Sequence, residues 1–109
     1  MSTEPDLVFL SRRDVEAAEV PMAEIIAALQ SAYGEKGHGR TEAPAKIGIH
    51  TRPDALLHAM PGYIPALRAA GMKWIGAYPE NPSRGQPQVA GLIVLNDVET
   101  GLPACIMDA

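Results

Sequence analysis

The sequence has little of several features that mark specialised classes of protein. Its single cysteine, Cys105, excludes an intrachain disulfide and the scaffolds of small secreted domains. Nine basic and thirteen acidic residues give a net charge of −4, and the basic residues form no cluster that would indicate nucleic acid. No apolar run approaches a membrane span, and the N-terminal MSTEPDL lacks the regions of a signal peptide. These absences predict a cytoplasmic protein with no membrane partner.

Well-known ligand-binding motifs are also missing. No GxGxxG follows a strand and opens a helix, so the 109 residues carry no dinucleotide fingerprint. A P-loop and a GxSxG nucleophile motif are absent. There is no HxH, HExxH or paired-cysteine spacing, and we therefore expect no metal site. By itself, the chain is not expected to bind a nicotinamide cofactor.

The first third of the chain shows helical signals. A short apolar strand, Leu7 to Leu10, precedes Ser11, which suits an N-cap, with Asp14 as an acidic first-turn residue. The helix should end near Ala18, and Pro21 is placed as the first residue of a second helix. That helix is predicted to be amphipathic because five apolar residues recur at helical spacing: Met22, Ile25, Ile26, Leu29 and Tyr33.

After the glycines at 34, 37 and 39 the pattern becomes that of strands. Five segments follow in series: KIGIHT, ALLHAMPGY, AAGMKWIGAYP, QVAGLIVLND and LPACIMD. Pro61 is expected to end the second, and DVETG predicts a hairpin turn with Gly101 at positive φ. The prediction is an α+β fold, with N-terminal helices followed by a largely antiparallel β-sheet.

The last strand runs to the end of the chain, where it would leave an unprotected sheet edge. This pattern favours a fragment of a longer protein, or a sheet that other segments complete. A complete domain with a short last strand is the alternative.

Lys73, in GMKWIGAY, is the first candidate for chemistry. On a two-residue period Lys73 shares a face with Ile75 and Ala77, whereas the opposite face carries Met72, Trp74 and Gly76. One interpretation is a solvated lysine of the kind that edge strands use. The other is a cationic anchor for a substrate carboxylate, or a lysine whose pKa is lowered by burial.

Three further features have both an ordinary and a functional interpretation. Lys46 is either a solvated strand start or a second cation of the same site. His58, in LLHAMP, is either a hydrogen-bonded core residue or part of the site. The proline-rich loop YPENPSRGQPQ is either a surface loop or a source of amide donors from Asn81 and Gln88.

From LLHAMPGY to the end, the chain carries the pattern KW…PxNP…GxPQVxGLIVLND…TGxPxxxMDA. This pattern closely resembles the N-terminal half of the ornithine cyclodeaminase/mu-crystallin family, and LSRRDVEAA and PMAEIIAAL fit the family as well. The resemblance covers almost the whole chain. It implies a two-domain protein about three times longer, in which residues 1–109 form the N-terminal part of a substrate-binding and dimerisation domain. A Rossmann domain that binds NAD or NADP would be absent from this chain.

The resemblance also assigns roles to individual residues. Lys73 matches the lysine that binds the substrate carboxylate close to the reacting carbon, and is the expected catalytic residue. Met60 matches a methionine that lines the substrate pocket. Lys46 stands where many members have an arginine for the same carboxylate, which keeps the charge but loses the bidentate fork. His58 replaces the acidic residue expected in an ornithine-specific member, which disfavours ornithine as the substrate.

The function implied is that of an NAD(P)-dependent oxidoreductase or cyclodeaminase, active as a homodimer on a small amino or imino acid. Reduction of a cyclic ketimine and reversible amino-acid dehydrogenation are both open. Three alternatives remain. The first is an ornithine cyclodeaminase, which would be a lyase. The others are a non-catalytic ligand-binding protein and a truncated dimerisation module without activity. The 109 residues alone are expected to be inactive.

Overall fold

The structure is a computed structural model that describes residues 6–109; most of the N-terminal MSTEPDL stretch lies outside the described residues. Within residues 6–109 the fold has two helices and six strands, with 3-10 turns at Pro65–Leu67 and Asn81–Arg84. The helices are α1 (Arg12–Ala17) and α2 (Met22–Gly37). The strands are β1 (Val8–Leu10), β2 (Ile47–Arg52), β3 (Ala55–Ile64), β4 (Ala69–Ala77), β5 (Val89–Asn96) and β6 (Pro103–Asp108).

The helix starts agree closely with the local sequence signals. Ser11 caps α1: its hydroxyl accepts a hydrogen bond from the Asp14 backbone N–H at 3.2 Å, and its own N–H donates to the Asp14 carboxylate at 2.9 Å. Hydrogen bonds from the backbone and hydroxyl of Ser11 hold the pKa of Asp14 below its ordinary value. Pro21, which the sequence predicted as the first helical residue, is the N-cap of α2, so the helix begins one residue later than predicted. Neither helix of residues 6–109 is long and apolar enough to cross a membrane.

All six strands form one sheet, in the order β1-β6-β5-β4-β3-β2. Strands β2 to β6 pair antiparallel, as predicted, whereas β1 pairs parallel to β6 through Val8 opposite Cys105. The expectation that the last strand leaves an unprotected edge is therefore wrong, because β1 covers it. The edge strands of the described sheet are β1 and β2. Gly101 has a φ of 74°, as the predicted turn between β5 and β6 requires.

Pro61 does not end its strand. It lies within β3 opposite Met72, and the strand continues to Ile64. The pairing of β2 with β3 begins only at Ile47 opposite Ala59, so β3 has no strand on that side at Pro61. A proline, which has no N–H to donate, is tolerated where a strand has an open side.

Neither face of the sheet is covered by a layer of helices. Ala55, at 2% exposure, is the one buried residue of the described chain. The apolar stripe of α2 stays exposed, including Ile26 and Leu29, and the helix approaches the end of β3 near Tyr63 and Ile64 and the turn that follows it. The radius of gyration is 16.1 Å, whereas a compact domain of this size has about 13 Å. The described residues thus present a sheet with two open faces.

Gly71 provides a test of this sheet. A Cβ at this position would overlap the Val94 carbonyl oxygen on β5, so Gly71→Ala should push β4 and β5 apart and lower the free energy of unfolding by about 1–3 kcal/mol. Gly62 lies directly opposite on β3, where the nearest atom to an added Cβ is the Glu42 carbonyl oxygen at 3.8 Å. Gly62→Ala should therefore change it by less than about 1 kcal/mol. Chemical denaturation of both variants checks the difference, and equal effects would contradict it.

Candidate active site on one face of the sheet

The register of the strands divides the sheet into two chemically different faces. Residues that lie directly opposite in neighbouring strands point to the same face. We call the face that carries Lys73 the lysine face; it also contains Val8, Leu10, Gly48, Leu56, His58, Met60, Ile75, Gly91, Ile93, Cys105 and Met107. The opposite, or tryptophan, face contains Phe9, Ile47, Ile49, Leu57, Ala59, Met72, Trp74, Leu92, Val94, Ile106 and Asp108.

Lys73 lies at the centre of its face. One row of opposed residues crosses five strands, and Lys73 is its only charged member: Leu10, Met107, Ile93, Lys73 and Met60. Strand β4 lies between β3 and β5. The interpretation of Lys73 as an edge-strand lysine is therefore wrong. Its side chain is exposed, but it stands among apolar neighbours.

Met60 and His58 lie beside Lys73 on the next strand. Met60 is directly opposite Lys73, and His58 is opposite Ile75, which makes His58 the diagonal neighbour of the lysine. Both side chains are half-buried. The hydrogen bonds found among residues 6–109 do not include the His58 ring, so its interpretation as a hydrogen-bonded core residue stays a prediction. The register thus brings three of the four predicted site residues together.

Gly48 on β2 decides where the His58 ring lies. The two residues are directly opposed, and a Cβ on Gly48 would collide with the imidazole, whose Nε2 lies 3.0 Å from that point. The ring therefore extends over the glycine. Sequence reasoning missed this residue, although a glycine within the alternating KIGIH is a recognised sign of close approach.

Lys46 is the fourth predicted residue and immediately precedes β2. Ile47 pairs with Ala59, so continuing the register by one residue would set Lys46 opposite Met60. Its side chain is exposed. This position is compatible with both earlier interpretations, a solvated strand start and a second cation near Lys73.

The lysine face has a positive rather than a mixed charge. The one acidic residue within the six strands is Asp108, which is opposite Leu92 and so belongs to the tryptophan face. Five ion pairs join arginines to glutamates on the described surface, and neither Lys73 nor Lys46 takes part in any of them. A lysine without a carboxylate partner in this part of the chain is available to bind an anion.

The proline-rich loop after β4 is held by its own contacts. The Asn81 side-chain amide donates to the Pro87 carbonyl at 3.1 Å, and the Tyr78 backbone N–H donates to the Gln88 carbonyl at 2.8 Å. Tyr78 also shares a short hydrogen bond with Thr51 at the end of β2. Asn81 thus braces the loop, whereas the predicted role was as an amide donor to a ligand. The Gln88 side chain stays exposed.

The residues of the lysine face can bind an anion, and two features of other sites are missing from the described part of the chain. Residues 6–109 hold no cluster of His, Cys, Asp and Glu suited to a metal ion. The sheet's one parallel pair, β1 with β6, is not joined by the glycine-rich strand–helix turn that binds a dinucleotide. Residues 6–109 therefore contain no glycine-rich turn of the kind that binds a dinucleotide. What the lysine face offers is a cation set between apolar side chains.

Comparisons with known proteins identify the family of this chain. The model of the ornithine cyclodeaminase/mu-crystallin family matches residues 6–109. The nodulation efficiency protein NfeD of Rhizobium meliloti is 50% identical over 101 residues, which are 93% of this chain and 32% of that protein.

Two solved structures share the fold. An archaeal alanine dehydrogenase dimer with bound NAD has a TM-score of 0.87 at 33% identity, over 94% of this chain and 31% of its own. The Δ1-pyrroline-2-carboxylate reductase of Thermococcus litoralis, solved with NADH and L-proline, has a TM-score of 0.87 at 32% identity, over 93% and 31%. The chain spans about a third of the length of these relatives. It belongs to the ornithine cyclodeaminase/mu-crystallin family.

Proposed function

We propose that this chain is the substrate-binding part of an NAD(P)-dependent oxidoreductase that acts on a small amino or imino acid. The observation that carries the proposal is Lys73, which lies at the centre of a sheet face, has an apolar residue directly opposite it on each neighbouring strand, and forms none of the ion pairs found among residues 6–109. Lys73 would hold the substrate carboxylate, Met60 would line the pocket, and Lys46 would add a second positive charge. Two relatives with named activities are a dehydrogenase and a reductase whose structures contain NAD or NADH.

The division of labour follows from what the chain contains. A second domain, outside these residues, would bind NAD or NADP, and the cofactor would supply hydride exchange at the α-carbon. The lysine face would fix the substrate beneath it. A second domain over this face would also exclude water, and a charge-assisted hydrogen bond gains strength when water is excluded.

The other candidate functions differ in what they need from the same face. An ornithine cyclodeaminase would need a partner for the side-chain ammonium, and no strand residue of the described lysine face is acidic. A non-catalytic ligand-binding protein could use the same lysine, so turnover distinguishes it from an enzyme. A truncated dimerisation module would keep only the tryptophan face in use.

The tryptophan face supports a homodimer. It is almost wholly apolar and leaves large side chains in solvent, with Phe9 at 68%, Ile47 at 72% and Trp74 at 38% exposure. Exposed apolar surface of this kind marks an interface. A second copy of the same face, related by a twofold axis, would bury it. The archaeal alanine dehydrogenase is itself a dimer.

The sharpest test of the site is Lys73→Met in the full-length protein. Methionine keeps the length and apolar stem, so the strand should still pack. Loss of the charge-assisted contact should cost about 2–4 kcal/mol of transition-state stabilisation, which is roughly a 30- to 1000-fold fall in kcat/KM. Cofactor Kd should barely change. Lys36→Met, on α2, removes an equal charge away from this face and serves as the control. Near-normal turnover by Lys73→Met would refute the carboxylate-anchor role.

His58→Glu tests the side-chain end of the pocket. A carboxylate there would pair with a second substrate amine, so activity on ornithine relative to alanine should rise by roughly tenfold. The control is His38→Glu, which adds the same charge at the end of α2. Relative kcat/KM values on the two amino acids provide the measurement. An unchanged ratio in His58→Glu would show that residue 58 does not face the substrate side chain.

The dimer proposal can be checked by placing a charge on the tryptophan face. Leu92 is 46% exposed there, and burying a lysine in its place should raise the dimer Kd at least about tenfold. Ile26→Lys alters a comparably exposed apolar residue on α2 and should leave association unchanged if the sheet is the interface. Sedimentation equilibrium of the three proteins separates the two surfaces. A stable unsubstituted monomer at tens of micromolar would count against the dimer.

A further inference from the structure

The His58 ring is the polar group that the proposed site leaves without a function. It is half-buried on the lysine face, and no hydrogen bond joins it to another described side chain. A polar ring that loses water without gaining a partner destabilises a protein. If a second domain covers this face, the ring needs a partner, and a bound ligand can provide one.

The position of the ring relative to Lys73 sets the shape of such a ligand. His58 and Lys73 are diagonal neighbours, whose backbone positions lie about 7–8 Å apart on a sheet, and the ring extends from there toward Gly48 on β2. Met60 is next to His58 on the same face of β3 and lies directly opposite Lys73. A ligand with one anionic group at Lys73 and a short apolar linker would therefore place its other end near the ring.

The charges on the face decide what that other end can be. Lys73, His58 and the adjacent Lys46 are all basic, and the strand residues of the lysine face within residues 6–109 include no carboxylate. An ammonium group at this end would find no counter-charge. A carboxylate oxygen, in contrast, accepts a hydrogen bond from the imidazole N–H in either protonation state.

We infer that His58, held over Gly48, forms a second anion subsite, so that the protein selects amino or imino acids whose side chain ends in a carboxylate. The inference rests on the proposed function, because Lys73 must hold the first carboxylate. Gly48 is a positioning residue: a side chain there would occupy the space of the ring and also approach the Leu57 carbonyl oxygen to 2.8 Å.

Ligand binding to the full-length protein tests the inference without requiring turnover. Succinate and butyrate share a four-carbon chain but differ in the second carboxylate, and calorimetric titration, with NAD and NADP present, gives the Kd of each. The unsubstituted protein should bind succinate at least about tenfold more tightly. His58→Leu should abolish this preference, while His58→Gln, which keeps an N–H donor, should retain part of it.

Variants of two glycines examine the positioning role. Gly48→Ala should weaken the preference for succinate over butyrate, as His58→Leu does. Gly62→Ala, at a position with space for a methyl group, should leave this preference unchanged. If Gly48→Ala does not fold, the comparison of His58→Leu with His58→Gln still decides the subsite.

The results separate the two proposals. Lys73→Met should weaken both ligands, and failure to do so would overturn the proposed function. Equal binding of succinate and butyrate, binding of neither, or a preference that survives His58→Leu would overturn the second subsite.

Discussion

The side-chain alternation of three paired strands, β3, β4 and β5, is the constraint on which the rest of the molecule depends. Because their register sets Met60, Lys73 and Ile93 in one row, the basic groups of these strands collect on one face among apolar side chains, whereas the other face is almost wholly apolar. A slip of one residue would move every side chain of a strand to the opposite face. Gly71 and Gly91 strengthen this register, because a Cβ at either would strike the backbone of the neighbouring strand. The chemistry of the site is thus a property of backbone pairing.

Much of this arrangement follows from local sequence. The α1 cap, the turn at Gly101 and the face of Lys73 were predicted because each depends on residues close together in the chain. The parallel pairing of β1 with β6 has no such local signal. Pro61 was misread for the opposite reason: proline is a strong local signal for the end of a strand, but the open side of β3 permits it.

The same distinction between local and long-range signals applies to the candidate site. Alternation within a single strand indicates that Lys73, Ile75 and Ala77 share a face, but it does not show which residues of the next strand lie opposite. That Met60 and His58 lie beside Lys73 could be known only from the register of β3 with β4. The importance of Gly48 could be understood only from the three-dimensional structure, because the His58 ring of the neighbouring strand occupies the space where a Gly48 side chain would lie. Residue type and strand pattern singled out Lys73, Lys46 and His58, the family resemblance added Met60, and the register shows how they are grouped.

The pairing of β1 with β6 also has a consequence for synthesis of the protein. Val8 and Cys105 are opposed although they lie 97 residues apart in the chain. At ribosomal rates this interval takes about 5–20 s, during which the first strand has no β6 to pair with. This first strand carries Phe9, one of the large apolar residues of the tryptophan face. The described sheet is therefore completed only after β6 has been synthesised, by a contact between β1 and β6, and until then Phe9 lacks its neighbour Ile106.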